Sequence, residues 1–315
     1  MRIFVTGATG LLGRALIPEL TANGHDVIGL ARNDASRSMI TAMHATAHSG
    51  QGYDVDVLTE ALEPVHAIVH LATGMPNNDA PIEDDWAHSS KIVLGLLRHL
   101  VEASERTGVR TIIFPSFYGI YADNGSEAVT EESPLNPDAE SQAYLDVEQL
   151  LYDATASRRS TAVILRMGQI YSEDAPHTKG LLFALQNGLA AIGANPEAYW
   201  PLIHVSDAAR AIRLALELSP AGQTFNICDD TPVRKRDLYY ALASWVGGPR
   251  PPDRSMTGSL SPYMGRIDAS ALHKSIRMSN AKARQWLDFK PTYPTYQEGF
   301  NLVIPHWQAK RQHTS

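Results

Sequence analysis

The chain has 315 residues, 27 lysines and arginines against 34 aspartates and glutamates, and a single cysteine. That length supports one large α/β domain or two closely packed ones, and apolar and charged fractions of 44% and 19% exclude a disordered, collagen-like or coiled-coil chain. Cys228 alone cannot form an internal disulfide, and a net charge of −7 argues against nucleic acid as the main partner. No run approaches the roughly 18 apolar residues of a membrane span. The first apolar run ends at Thr6-Gly7, too early for the core of a signal peptide. The expectation is a soluble, cytoplasmic protein with a small-molecule partner, no nucleic acid and no membrane.

In chain order, Ile3-Phe4-Val5 reads as a short buried strand, followed by a glycine-rich turn and a helix that carries Leu12, Ala15, Leu16 and Leu20 on one face. Pro18 inside that helix should kink it or leave a carbonyl unpaired. Asn23-Gly24-His25 stops it, and Val27-Ile28-Gly29-Leu30 is a second strand. A short helical stretch near 58–62 precedes the strand 67–71; a helix over 90–107 precedes the strand 111–114; a polar loop over 122–138 and a helix near 141–157 precede the strand 162–165. Strands alternating with helices imply parallel units with right-handed crossovers, hence an α/β doubly wound, Rossmann-like sheet. After about residue 172 the alternation loosens. Residues 1–172 are therefore assigned to dinucleotide binding and 173–315 mainly to a smaller substrate-binding part, with some later segments returning to the first.

Thr6-Gly7-Ala8-Thr9-Gly10-Leu11-Leu12-Gly13 joins the first strand to the first helix. In that setting Gly7 permits a tight turn, Gly10 lets backbone approach a pyrophosphate, and Gly13 allows close packing. The helix start offers free N–H groups to phosphate. The Gly-x-x-Gly-x-x-Gly spacing resembles the short-chain dehydrogenase/reductase superfamily, in its extended, epimerase/dehydratase-like branch. Further segments carry the same resemblance: Asp54-Val55-Asp56-Val57, His70-Leu71-Ala72-Thr73, the stretch 202–209 around His204 and Asp207, Phe225-Asn226-Ile227 and the stretch 279–283. It implies a cofactor site of Gly7, Thr9, Gly10, Leu11, Leu12, Gly13, Asp56, Val57, Leu71, Ala72 and Thr73, with Asp56 and Val57 at the adenine. It also implies that Phe225–Ile227 and 279–283 belong to the substrate half, that His204 and Asp207 build a structural turn, and that a homodimer forms through the helices near 90–107 and 141–157.

Cofactor choice is read from the end of the second strand. A carboxylate there would accept from the ribose hydroxyls of NAD; Arg32 stands there instead, and a guanidinium can hold a 2′-phosphate. NADP(H) is favoured over NAD(H).

The catalytic positions depart from the family, which uses a Ser or Thr, a Tyr and a Lys four residues later. Two registers are open. In one, Tyr144 keeps the tyrosine place and Glu148 replaces the lysine; in the preferred one, 147–151 match the end of the family's helix, which puts Tyr144 in the lysine place and Glu140 in the tyrosine place. Neither leaves a lysine. The hydroxyl position falls on Phe117, with Ser116 one residue earlier and facing the opposite side of an extended segment. Tyr118 adds a phenol nearby. Candidate catalytic residues are Tyr144, Tyr118, Glu140 and Ser116. A neighbouring carboxylate, Glu148 or Glu140, would raise the pKa of Tyr144, which weakens it as a base and leaves it able to donate a proton. Met75, Pro76, Trp86, His177, Tyr199, Trp200, Tyr263 and Arg266 are candidate pocket wall, and the histidine spacing predicts no metal site. The expected activity is an NADP(H)-dependent oxidoreductase, reductase or epimerase/dehydratase-like, on a small carbonyl or alcohol. A cofactor-binding protein without redox activity and a non-redox acid–base enzyme remain as alternatives.

Overall fold

The computed structural model describes residues 1–50, 54–63, 65–72, 83–138, 141–193, 195–253 and 273–312, without the side chains of 83–90 and 310–312. The first half alternates as expected: β1 (Arg2–Thr6), α1 (Leu11–Ala22), β2 (Asp26–Ala31), α2 (Asp34–Ala42), β3 (Thr46–Ser49), α3 (Val55–Leu62), β4 (Ala67–His70), α4 (Glu83–Thr107), β5 (Thr111–Phe117), the short β6 (Ala128–Val129), α5 (Gln142–Ala156) and β7 (Thr161–Met167). The second half adds β8 (Gln169–Tyr171), α6 (Pro176–Gln186), β9 (Tyr199–Trp200), β10 (Leu202–His204), α7 (Val205–Leu218), β11 (Thr224–Ile227), β12 (Val233–Arg234), α8 (Lys235–Trp245), β13 (Arg277–Met278), α9 (Ala281–Leu287) and α10 (Tyr296–Gln312).

Seven parallel strands form the central sheet in the order β11-β7-β5-β4-β1-β2-β3. The order reverses between β1 and β4, so a crevice opens beyond the carboxyl ends of those two strands. One face of the sheet packs with α1 and α7 around Ile3, Val5, Leu16, Leu20, Ile212 and Phe225. The other packs with α3, α4 and α5 around Phe4, Ile68, Leu97, Phe114, Val147 and Ile164. A separate apolar cluster in the second half joins α6, α8 and α10 through Leu182, Leu242 and Phe300.

One expectation is corrected. Phe225–Ile227 is not part of a separate substrate half: it is β11, hydrogen-bonded to β7 at the edge of the central sheet. The alternation that marks βαβ units breaks after β7, which hides a strand contributed from 57 residues further along the chain. Of the two outcomes open at Pro18, α1 runs through it with a carbonyl left unpaired. Pro18 is exposed, and water can meet the carbonyl that its missing N–H leaves unpaired. No helix among the described residues is long and apolar enough to cross a membrane.

Candidate active site

The glycine turn is built by close approach. Gly7 has φ +65°, a left-handed conformation, and a Cβ there would lie 2.6 Å from the Leu71 carbonyl carbon. The turn after β1 therefore touches the turn after β4 at the point where strand order reverses. Thr6 reinforces the contact: its Oγ1 is 2.8 Å from His70 Nδ1 and accepts from the Ala72 N–H at 3.3 Å. A Cβ on Gly13 would stand 2.5 Å from the Gly7 and Ala8 carbonyl oxygens, so Gly13 admits the turn itself rather than the strand. Gly10 is exposed at the start of α1, which has no side-chain cap and no acidic residue in its first turn. Its unpaired N–H groups, with Leu11 and Leu12 partly exposed beside them, suit a pyrophosphate. Thr9 is tied down through its carbonyl, which accepts from Arg14 Nη1 at 3.0 Å.

At the end of β2, Arg32 is exposed and makes no hydrogen bond or ion pair with any described residue. Asn33 caps α2 reciprocally with Ser36, and Arg37 reaches across to Ser49 Oγ at the end of β3. Of the two residues expected at the adenine, Val57 lies against Gly50, where a Cβ would come within 2.7 Å of Val57 Cγ1. Asp56 is exposed and paired with Arg106 of α4 at 2.8 Å, while Asp54 caps α3. Thr73, Met75, Pro76, Glu140, Tyr263 and Arg266 lie outside the described residues, as does the side chain of Trp86.

The corner of β5 and α5 holds the positions at which catalytic residues were expected. Glu148 is fully buried and forms a forked pair with Arg166 of β7, with Arg166 Nη2 2.8 Å from Glu148 Oε2 and Arg166 Nε 3.1 Å from Oε1. Arg166 also donates to the Tyr121 hydroxyl at 2.9 Å and the Glu131 carbonyl at 3.0 Å; Tyr121 in turn donates to Asn226 of β11 at 2.7 Å. Glu148 is thus committed to Arg166, which corrects the expectation that its charge acts on Tyr144. The Tyr144 pKa is indeed raised, to about 12, but burial alone is the cause. The pair also fixes the rotation of α5, so Tyr144, one turn before Glu148, faces the same way toward the sheet.

Tyr144 is half-buried, with its ring 5.6 Å from Phe117 and 6.3 Å from Phe114. Phe117, at the end of β5, holds the position expected for a hydroxyl. Its ring lies on Gly119, where a Cβ would meet Phe117 Cε1 at 2.3 Å. Tyr118 is almost fully buried beside it, at 4.6 Å between rings, and its hydroxyl is 3.4 Å from Gln169 Oε1. Ser116 stands opposite Arg166 in the β5–β7 ladder and is buried on the face of the sheet against which α5 packs, and its Oγ has no hydrogen-bond partner among the described residues. The Gly119 carbonyl accepts from Lys274 Nζ at 2.7 Å and from Ser141 Oγ at 3.3 Å, which ties the turn after β5 to the start of α5.

Sequence reasoning missed Lys274, Gln169 and Glu131, and named Asn226 without giving it a part in this corner. One signal was available: Arg166 inside the apolar run Val163-Ile164-Leu165 demands a buried partner. His204 Nδ1 accepts from the Ser206 N–H at 3.3 Å at the start of α7, and Asp207 accepts from the Thr292 and Tyr293 N–H groups at 2.7 and 3.0 Å. Both build structure at that turn. Of the wall candidates, His177 donates from Nε2 to the Ile170 carbonyl at 2.6 Å, and Trp200 is buried under Lys235. No cluster of metal-ligating side chains occurs among the described residues.

Residues 3–228 match the model of the NAD dependent epimerase/dehydratase family. The chain is 27% identical to a 3-diazoavenalumate denitrifying reductase from a Streptomyces species, over 95% of this chain and 99% of that one. It is 26% identical to a UDP-glucose 4-epimerase of Mycolicibacterium smegmatis, over 99% and 100%. Its fold is similar to that of a UDP-glucose 4-epimerase from Thermotoga maritima, with a TM-score of 0.80 at 22% identity over 98% and 99% of the two chains. A match over this span, on a fold whose glycine turn sits at the point of strand reversal, means that the chain belongs to the NAD-dependent epimerase/dehydratase family and is an NAD(P)-dependent enzyme.

Proposed function

We propose that the protein is an NADP(H)-dependent reductase of a small organic carbonyl compound, with Tyr144 as proton donor. The observation that carries this reading is the setting of Tyr144, beside Phe117 on α5 with no lysine four residues on and with Glu148 turned to Arg166, so that no group nearby draws its proton away. With its pKa raised to about 12 by burial, the phenol keeps its proton at neutral pH. It can donate to an oxygen that gains charge, and it is a poor acceptor from an alcohol. Epimerase and dehydratase chemistry begins with oxidation of an alcohol, which needs a base at this corner; reduction needs only the acid. The name of the Streptomyces relative, a reductase, agrees with that direction.

A bound reduced nicotinamide supplies the hydride for the carbonyl carbon. The chain supplies the rest. The cradle at Gly7, Gly10 and Gly13 holds the pyrophosphate, and Arg32 meets the 2′-phosphate. The Glu148–Arg166 pair holds α5 in rotation so that Tyr144 faces the crevice beside Phe117. Tyr144 delivers the proton to the carbonyl oxygen as its charge develops. Tyr118 stands behind it as the second phenol of the corner.

The test is NADPH oxidation against a panel of aldehydes and ketones, followed by Tyr144→Phe. Loss of the donor should lower kcat by about 10²–10³-fold with NADPH affinity retained. Unchanged turnover would remove Tyr144 from the mechanism. Saturable NADPH binding with no oxidation by any carbonyl would favour a cofactor-binding protein without redox activity.

A further inference from the structure

Five rings follow one another from the phosphate turn to α5. His70, which bonds Thr6 next to the glycine turn, stacks on Phe114 with ring centres 6.0 Å apart. Phe114 meets Tyr144 at 6.3 Å, Tyr144 meets Phe117 at 5.6 Å, and Phe117 meets Tyr118 at 4.6 Å. His70, Phe114 and Tyr118 are almost fully buried, whereas Phe117 and Tyr144 are only partly so. The buried rings therefore back two rings that keep part of their surface open, at the carboxyl edge of the sheet. Phe117 is also pinned from below, because its ring occupies the space that a side chain at position 119 would need.

We infer that this corner selects flat, aromatic carbonyl substrates over sugar nucleotides, by stacking on Phe117 and Tyr144. The inference rests on the reductase reading and names the substrate class for it. Two rings held by their neighbours and only partly buried favour a conjugated ring system in offset or edge-to-face contact and cost little ordering entropy on binding. A sugar brought against the same rings would give up hydrogen bonds to water and find no hydroxyl at position 117, where a hydrogen-bonding side chain was expected. The position that would orient a polar substrate is thus given to an aromatic one.

The experiment compares two neutral ketones on the full-length protein loaded with NADP⁺: 2-acetonaphthone and its ring-saturated counterpart 2-acetyldecalin, with UDP-glucose as a third ligand. Binding is read by calorimetry, without turnover. The naphthyl ketone should bind about tenfold more tightly than the saturated one, and UDP-glucose should not compete. Phe117→Leu and Tyr144→Leu, which keep apolar bulk and remove a ring face, should each cut that ratio about threefold or more. A ratio near one in the native protein, tighter binding of UDP-glucose, or a ratio unchanged in both variants would overturn the inference. The comparison in the native protein requires no variant to fold. Selective binding of the naphthyl ketone without NADPH oxidation would leave the inference standing and the reductase reading refuted. Equal turnover of aliphatic and aromatic ketones would do the reverse.

Discussion

The turn after β1 and the corner between β5 and α5 face each other across the sheet's carboxyl edge, and they differ in how much freedom the fold leaves them. At the turn, backbone touches backbone: Gly7 against Leu71 and Ala72, Gly13 against the carbonyls of Gly7 and Ala8. A side chain at Gly7 would push the turns after β1 and β4 apart, and one at Gly13 would push α1 off its own turn, so residue type there is dictated by geometry. At the corner the scaffold is equally firm, but the groups that could react are side chains resting on it. Phe117 occupies a hydroxyl's place and Tyr144 stands on α5 without a lysine, while Glu148 and Arg166 hold the helix beneath. Cofactor binding and reaction chemistry are thus separable. The chain keeps a backbone-defined cradle, and the side chains at the corner differ from those that the family resemblance led us to expect.

The sharpest way to break this contrast is Gly7→Ala. The new Cβ meets Leu71 backbone at 2.6 Å in a left-handed conformation, so the contact between the β1 and β4 turns must open. NADPH binding, followed by nucleotide fluorescence, should weaken by at least about a hundredfold or disappear. Gly24→Ala is the control. It shares a positive φ of +78° but has nothing within 4 Å of the added atom, so only about 1 kcal/mol of backbone strain is expected, with binding intact. If both variants bind NADPH normally, the cradle is not backbone-defined.

The corner's scaffold is tested by Glu148→Gln. The substitution keeps the shape and leaves Arg166 buried and charged without its carboxylate. Urea unfolding should report a loss of about 3–5 kcal/mol. Replacing both residues by methionine should recover much of that loss, because an apolar pair has no unmatched charge. A small effect in the single variant would mean that the pair does not hold α5, and that the rotation of the helix is set by its apolar contacts instead.

Legibility in the sequence divides along the same line. The first half of the sheet was readable because apolar strands alternate with periodic helices, and the cradle was readable because glycine is the one residue that fits its contacts. The Glu148–Arg166–Tyr121–Asn226 network was not legible, since its members are 18 to 105 residues apart and no local pattern joins them. β11 escaped because its position is set by pairing with β7 rather than by its neighbours in sequence. Glu148 misled for a related reason: helical spacing put it beside Tyr144, and only the fold reveals that its charge is spent on Arg166. The ring succession behind Phe117 is likewise a product of three elements, β4, β5 and α5.

A smaller effect sharpens the cofactor side. Arg32→Ala removes an exposed guanidinium that has no partner among the described residues, so stability should not change. NADPH should bind about ten- to a hundredfold less tightly, the loss of one or two charge-assisted hydrogen bonds, and NADH affinity should stay the same. Equal losses for both nucleotides would assign Arg32 to the shared part of the cofactor and remove the ground for preferring NADP(H).

The smallest effect concerns the ring that links the two regions. His70 is buried against Thr6 and Phe114, and burial lowers its pKa from the ordinary 6.5 to about 4. Between those values the unfolded chain binds a proton that the folded chain refuses, so this contribution to stability is complete above about pH 6.5 and is lost as pH falls toward 4. Asp229 works in the opposite sense. Burial raises its pKa from 3.8 to about 8, so its contribution is complete at low pH and is lost as pH rises through that value. The two slopes oppose one another over the mildly acidic range, and the native curve alone would conceal both. His70→Asn isolates the first, because an amide can still bond Thr6 and cannot titrate. Relative to the native protein, the variant should gain about 1 kcal/mol between pH 8 and pH 5.5 in paired urea titrations. A difference that does not change with pH would mean that His70 is accessible to protons when folded, and that the link between the phosphate turn and the aromatic corner is open to water.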